Sequence, residues 1–412
     1  NTLLLSLAAA LLLYTKYHGV LIIFFTLISN VSLFRRWQTY VAGLVALALF
    51  VPHLWWQYNH NWISFRYHLF ESNVNRYKPS YTIEYVLGQL LIAGPLAGFI
   101  LWPATFLYRT KNLLERALKF TGIGIFIFFF LSSFKGKVEA NWTAPALISI
   151  IVLSYYYLLQ KEGARKWLYR LLPFTIVLVL FARFVIIADI LPVKAIIKRY
   201  HAWKGWPQEL KQKTKGLPIV FNNSYQRASK TWFYTGQKTY SLNNYRDRRN
   251  NYNFWPIEDS MLGKPVYTMD IYDIPTYQDS VKARLWNVGI SYDSTFYSFA
   301  KIIFQPQKTG YTTTLNDSLK ISFDLSLPAY YKTFLVQHPG INPPLLIGVF
   351  EGQKWIKDLS IPYNLQQLIQ QQINEVTIQP QLPKGDYILR FAVKSYRNLY
   401  THNSDKIKLQ VQ

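Results

Sequence analysis

The chain has 412 residues, half of them hydrophobic and 17% aromatic, with a formal net charge of +24 and no cysteine. The missing cysteines exclude disulfides and thiolate metal sites. Both halves are basic, with 17 Lys and Arg against 6 Asp and Glu before residue 192 and 28 against 15 after it. No nucleic-acid-binding motif accompanies that charge, so anionic lipid is the expected partner and nucleic acid is not.

A mean hydropathy near zero averages two unlike halves. Residues 1–191 are a string of apolar runs, and residues 192–412 alternate apolar and polar positions between turn residues. The expected architecture is a multi-pass α-helical membrane bundle over 1–191, a small α/β unit over 192–278 and a C-terminal β-sandwich over 279–412.

In chain order, seven spans are expected, at residues 1–14, 18–34, 39–56, 83–107, 118–134, 142–159 and 171–191. The first apolar run, Leu3 to Leu13, is shorter than the roughly 20 residues a span needs and reads as part of a larger membrane protein. It lacks the basic start and the cleavage site of a signal peptide. Arg35 and Arg36, then Arg109, Lys111, Arg116 and Lys119, then Lys161, Arg165, Lys166 and Arg170 occupy every second loop, which places those loops in the cytoplasm. The loops at 14–19, 57–82 and 135–141 then face outward, as does everything after residue 191.

The stretch Tyr58 to Leu69 is too polar to span and too aromatic for an ordinary loop. With Asn61 as cap, Trp62, Phe65, Leu69 and Phe70 share one helical face, opposite Ser64, Arg66, His68 and Glu71, the pattern of a helix lying in the membrane interface. An aromatic belt at a span end explains the rings equally well. Lys16, Tyr17 and His18, then His53, His60, Arg66 and His68, then Lys135, Lys137, Glu139 and Asn141 are expected to converge on one outer crevice. Residues 83–107 contain Gly94, Pro95, Gly98 and Pro103, which predict a kinked helix, and Gln89, which must be bonded inside the bundle. Arg183 lies inside the last apolar run, where an arginine needs a protein, water or anionic partner; a lipid phosphate and Asp189 are the alternatives.

YTKYHG (Tyr14 to Gly19), YNHNWISFRYHL (Tyr58 to Leu69), YVLGQLLIAGPL (Tyr85 to Leu96) and KGKVEANWTAPA (Lys135 to Ala146), in this order, resemble bacterial glycosyltransferase family 39. These are GT-C membrane enzymes related to protein O-mannosyltransferases and to the lipid A aminoarabinose transferase. The resemblance continues through Arg199 to Leu210, Ile219 to Gly236 and Arg246 to Pro256, covering about residues 1–270. It implies an enzyme of the bacterial inner membrane with its C-terminal domains in the periplasm. Such an enzyme takes a sugar from a polyprenyl-phosphate donor and transfers it, with inversion, to a glycan, lipid or protein acceptor. The family's catalytic aspartate would lie upstream of residue 1, so the chain alone is expected to be inactive.

On that reading, Lys16, Arg66, Lys135, Lys137 and Arg183 are the candidates for the donor phosphate. Tyr17, His18, His53, His60, Trp62, His68, Glu139, Asn141 and Trp142 are the candidates for sugar and acceptor, joined by Trp55 and Trp56 as a possible lipid-facing or sugar-facing surface. Glu139, between two lysines and Asn141, suits a supporting role better than that of base. No spacing argues for a metal, and no cofactor is expected. In the soluble half, Tyr225, Gln226 and Trp255 are acceptor-facing candidates, with core packing the alternative. Two competing functions remain: a noncatalytic glycan-binding envelope protein with a multi-span anchor, and a transporter of lipid-linked glycan.

Overall fold

The computed structural model describes residues 1–60, 62–68 and 77–412, apart from the side chain of Asn398. The chain divides into two compact units, Asn1–Leu191 and Pro192–Gln412.

The first unit is helical: α1 (Thr2–Thr15), α2 (Gly19–Ser29), α3 (Trp37–Asn59), α4 (Ile63–Arg66), α5 (Pro79–Ala93), α6 (Gly98–Leu107), α7 (Leu113–Ser133), α8 (Leu147–Gln160) and α9 (Glu162–Ala188). Apolar side chains dominate, and a polar group sets the start of α7. Asn112 caps α7 by accepting from the Glu115 amide at 2.9 Å. Glu115, itself buried, then accepts from Asn112 Nδ2, the Lys111 amide and the Tyr108 hydroxyl at 2.7 to 2.9 Å. A carboxylate this enclosed needs those donors. Close helix packing rests on small residues: a Cβ at Gly122 would stand 2.6 Å from that of Ser149, and one at Gly124 would stand 2.4 Å from the Phe25 ring.

Among the described residues, three helices are long and apolar enough to cross a membrane: Trp37–Asn59, Ala140–Gln160 and Glu162–Ala188. The pair α5 and α6, bent by 95°, makes a fourth if taken as one span. The seven expected spans are therefore not seen as seven full-length helices. Residues 1–14 and 18–34 yield helices of 14 and 11 residues, below the length needed to cross. The expected kink in 83–107 is a break at Gly94, whose φ of +116° is open to glycine and to few other residues. The alternation of loops used to assign sides depended on that count, so the helices alone do not fix the orientation.

The interfacial helix expected after Asn61 is described only in part, with helical turns from Ile63 to His68. α4 has four residues, and Trp62 precedes it in a left-handed conformation rather than forming its first apolar position. Asn61, Leu69, Phe70 and Glu71 lie outside the described residues.

The second unit opens with a short α10 (Lys194–Ile196) that continues as a π-type turn over Ile197–His201, then α11 (Trp206–Thr214). β1 (Ile219–Asn222), α12 (Tyr225–Thr235), β2 (Thr239–Leu242) and β3 (Val266–Asp270) follow, with β1 parallel to both β2 and β3. Ile219, Val220 and Phe221 are all buried, as expected of a strand covered on both faces. β4 (Asp279–Lys282) and β5 (Asn287–Asp293) complete this sheet in the order β2-β1-β3-β5-β4. The boundary expected at residue 278 is thus displaced, because alternation marks a strand but not the sheet it joins.

The remaining strands are β6 (Ile303–Pro306), β7 (Gly310–Thr313), β8 (Leu319–Ser326), β9 (Pro344–Glu351), β10 (Lys354–Asn364), β11 (Glu375–Ile378), β12 (Gly385–Lys394), β13 (Tyr400–His402) and β14 (Ile407–Val411), with α13 (Ala329–Gln337) and α14 (Leu365–Gln370) inserted. One sheet runs β10-β9-β12-β14-β7 with β13 paired to β12, and the other runs β11-β8-β6. They share one core, in which the Phe304 and Phe391 rings stack at 4.8 Å and Phe323 packs edge-on to both.

Glu258 joins the two layers of this unit. Only 2% exposed, it accepts from the Tyr331 hydroxyl of α13 at 2.7 Å and from the Tyr240 hydroxyl of β2 at 3.1 Å. Burial raises its pKa above 4.5, and the hydrogen bonds from Tyr331, Ser298 and Tyr240 oppose that rise. A carboxyl with a raised folded value stabilises most below its unfolded value and loses that contribution as pH rises through the folded one. In residues 192–412 expressed alone, urea midpoints measured from pH 4.5 to neutrality should fall less steeply in Glu258→Gln than in the parent. In the same system Phe391→Ala should cost about 3–5 kcal/mol of unfolding free energy.

Candidate functional site

Gln57 organises one end of the helical unit. It follows His53 by one turn of α3 on the same face and is fully buried. Its Nε2 donates to the Tyr17 hydroxyl at 2.8 Å, and that hydroxyl lies 2.8 Å from His53 Nε2. Its Oε1 accepts from the Ser64 amide at 3.3 Å, and its backbone carbonyl accepts from the Trp62 amide at 2.7 Å. One side chain therefore ties α3 to the segment after α1 and to α4. An amide buried in apolar surroundings must find such partners.

Beside this network is a cavity of about 290 Å³ lined by Leu13, Tyr14, Thr15, Lys16, Tyr17, Phe50 and His53. Its walls are mostly aliphatic and aromatic, and Lys16 supplies a cation where the backbone leaves α1 in extended conformation. The Tyr17 ring also meets Phe65 at 5.0 Å and His68 at 6.0 Å.

The loop after α7 reaches the same end. His18 packs on Phe129 at 4.9 Å and on Trp142 at 5.7 Å. Its Nδ1 is buried with no hydrogen-bond partner among the described residues. Burial, then the charges of Lys16 and His68, lower its pKa to about 4, so it is neutral at physiological pH. A neutral imidazole accepts or donates a hydrogen bond but adds no charge to hold a phosphate.

The candidate residues divide accordingly. Lys16, Tyr17, His18, His53, His68 and Trp142 are brought together. His60 stacks on Trp56 at 4.1 Å, with its Nδ1 2.7 Å from the Trp56 carbonyl. Trp62 is exposed at the start of α4, and Arg66 is half-buried at its end. Lys135, Glu139 and Asn141 are exposed in the third loop. Lys137 lies 3.6 Å from Glu84, both half open to solvent, a pair worth little by itself. Arg183 is exposed on α9, and among the described residues no contact joins it to the others. Gln89 is bonded inside the unit as expected, accepting from the Thr143 hydroxyl at 2.6 Å.

Two contributors were not singled out from the sequence: Gln57 and Phe129. Gln57 had a signal, a polar residue four after His53 on an otherwise apolar helix. Phe129 is indistinguishable by pattern from a lipid-facing ring, and Phe65 was read only as part of the apolar face of an interfacial helix.

The chain matches no protein-family model and no curated protein. Among solved structures it is similar to extracellular domains 3–5 of Drosophila OTK, at 11% identity, with 27% of this chain and 36% of that one covered. It is also similar to murine CRIg, at 12% identity, with 27% and 98% covered. Both have a TM-score of 0.16 and carry no weight for fold or site.

His18 gives a test of this geometry. Its folded pKa lies below its unfolded 6.5, so its burial adds stability that is complete above pH 6.5 and is lost as pH falls toward about 4. A histidine-labelled NMR titration of the detergent-solubilised protein should show a His18 midpoint near 4, moved back toward 6.5 in Trp142→Ala, which admits water.

Proposed function

We propose that the helical unit is part of a GT-C-type membrane glycosyltransferase that takes a sugar from a polyprenyl-phosphate donor and transfers it, with inversion, to a glycan, lipid or protein acceptor at the outer face of a bacterial inner membrane. The observation that carries this reading is a cavity with apolar walls and Lys16 on its lining, beside the Tyr17–His53–Gln57 hydrogen bonds.

In this transfer the acceptor hydroxyl passes its proton to a general base, an aspartate on the family resemblance, while its oxygen attacks the anomeric carbon and the bond from that carbon to the phosphate oxygen breaks. The electron pair leaves on polyprenyl phosphate. Negative charge grows on that phosphate, and a cation held beside it stabilises the transition state more than the ground state. Lys16 takes this role as a point charge; Arg66, next to the Phe65 that packs on Tyr17, and Lys135 and Lys137, in the segment leading to Trp142, are proposed as further cations although none of them lines the cavity. Leu13, Tyr14 and Phe50 offer apolar surface to the first prenyl units. The Tyr17 hydroxyl and the imidazoles of His53 and His18 suit sugar hydroxyls, and Trp142 offers a ring for stacking. Glu139 is read as a positioning group, and the proposed step uses neither metal nor cofactor. Arg183 is left out of the donor site, because nothing in the geometry brings it near Lys16.

Binding of polyprenyl phosphate to the solubilised protein tests the assignment without requiring turnover. Lys16→Ala should weaken binding by about 10- to 100-fold, the cost of losing one charged hydrogen bond, while Lys111→Ala should not change it. Equal affinity in the parent and Lys16→Ala would remove the phosphate role and with it the main support for a transferase.

A further inference from the structure

The segment that opens the second unit has a surface that the transfer reaction does not use. α10 and the π-type turn after it form one continuous helical stretch, Lys194 to His201. Ile197 and Ala202 are buried, whereas Lys194, Lys198, Arg199 and Tyr200 are exposed. Lys194 and Lys198 stand one turn apart, and the Arg199 guanidinium lies over the Tyr200 ring at 5.8 Å. Residues 190–208 contain no Asp or Glu, and among the described residues no carboxylate pairs with Lys194, Lys198 or Arg199.

Position in the chain gives this basic surface its meaning. α9, the most apolar of the helices able to cross a membrane, ends at Ala188, and five residues separate it from Lys194. So short a connection keeps Lys194 within about 21 Å of the helix end. A basic, partly aromatic helical surface held next to a bilayer meets the layer in which phosphate headgroups lie.

We propose that Lys194, Lys198, Arg199 and Tyr200 form a membrane-contact surface that binds the headgroups of anionic phospholipids in the bilayer crossed by α9. The three cations meet headgroup phosphates, and the Tyr200 ring sits at the headgroup level. Unlike the cavity at Lys16, this surface takes ordinary bilayer lipid in number and needs no enclosed pocket. It does not depend on the transferase reading.

The absence of cysteine permits a direct test. Ala195→Cys, at an exposed position beside the basic residues, is labelled with a small fluorophore, and the full chain is placed in nanodiscs. Quenching by neutral acrylamide is then compared in phosphatidylcholine alone and in phosphatidylcholine with a third of phosphatidylglycerol. Acrylamide quenching should drop severalfold in the anionic discs only. The protection should vanish in high salt and in the combined variant Lys194→Gln, Lys198→Gln and Arg199→Gln, and persist in Arg199→Lys. Equal quenching in the two lipids, whether low or high in both, overturns the proposal. So does protection that survives both salt and the combined variant. Should that variant fail to fold, the salt arm on the parent decides alone.

Discussion

Polar groups placed among apolar ones must be bonded, and that constraint governs the helical unit. Gln57 is the clearest case. Its amide is out of reach of water, so the fold presents it with the Tyr17 hydroxyl and the Ser64 amide. Satisfying one side chain brings the end of α1 and the short α4 against α3, and the cavity lies beside that junction. Glu115 and Gln89 repeat the logic elsewhere in the unit, the first setting the turn into α7 and the second tying α5 to the segment before α8.

The same constraint holds in the soluble unit with different chemistry. Asn403 is fully buried, donates to the Phe299 and Ile302 carbonyls at 2.7 and 2.8 Å, and accepts from the Val393 amide and the Thr401 hydroxyl at 2.8 and 2.9 Å. It thereby fastens the entry to β6 onto β12. Asp358 of β10 accepts from the Tyr245 hydroxyl, the Arg246 guanidinium and the Trp355 indole, which anchors the loop after β2 to the sandwich. Such networks specify one arrangement of layers that apolar burial by itself would leave loosely defined.

Much of the fold was legible where periodicity and length carry the information. The change of character near residue 191, the strand Ile219–Asn222, the helix Tyr225–Thr235 and the long apolar helices at Trp37–Asn59 and Glu162–Ala188 all follow from local pattern. Pattern showed a kink in the apolar run at 83–107 through its glycines and prolines, but not that the run turns through 95° at Gly94. Nor could it show that β5 pairs with β3, a choice made between distant partners such as Tyr267 and Tyr292, 25 residues apart in the chain. The candidate site divided in the same way. Histidines, lysines and tryptophans in polar loops announced themselves by being out of place, whereas Phe129, which packs on His18, looked like any lipid-facing ring.

The sequence by itself determined that there are two halves of opposite character, that the first has helices apolar enough for a bilayer, and that the polar residues of that half gather in a few loops. These are local properties, encoded by composition and by repeats of two or 3.6 residues. Only the tertiary structure decided which of those polar residues meet: Lys16, Tyr17 and His53 around one cavity, His18 against Trp142, and Arg183 apart from them. The physical reason is that contact between residues distant in the chain depends on how helices pack and bend, and packing is settled by the joint fit of many side chains.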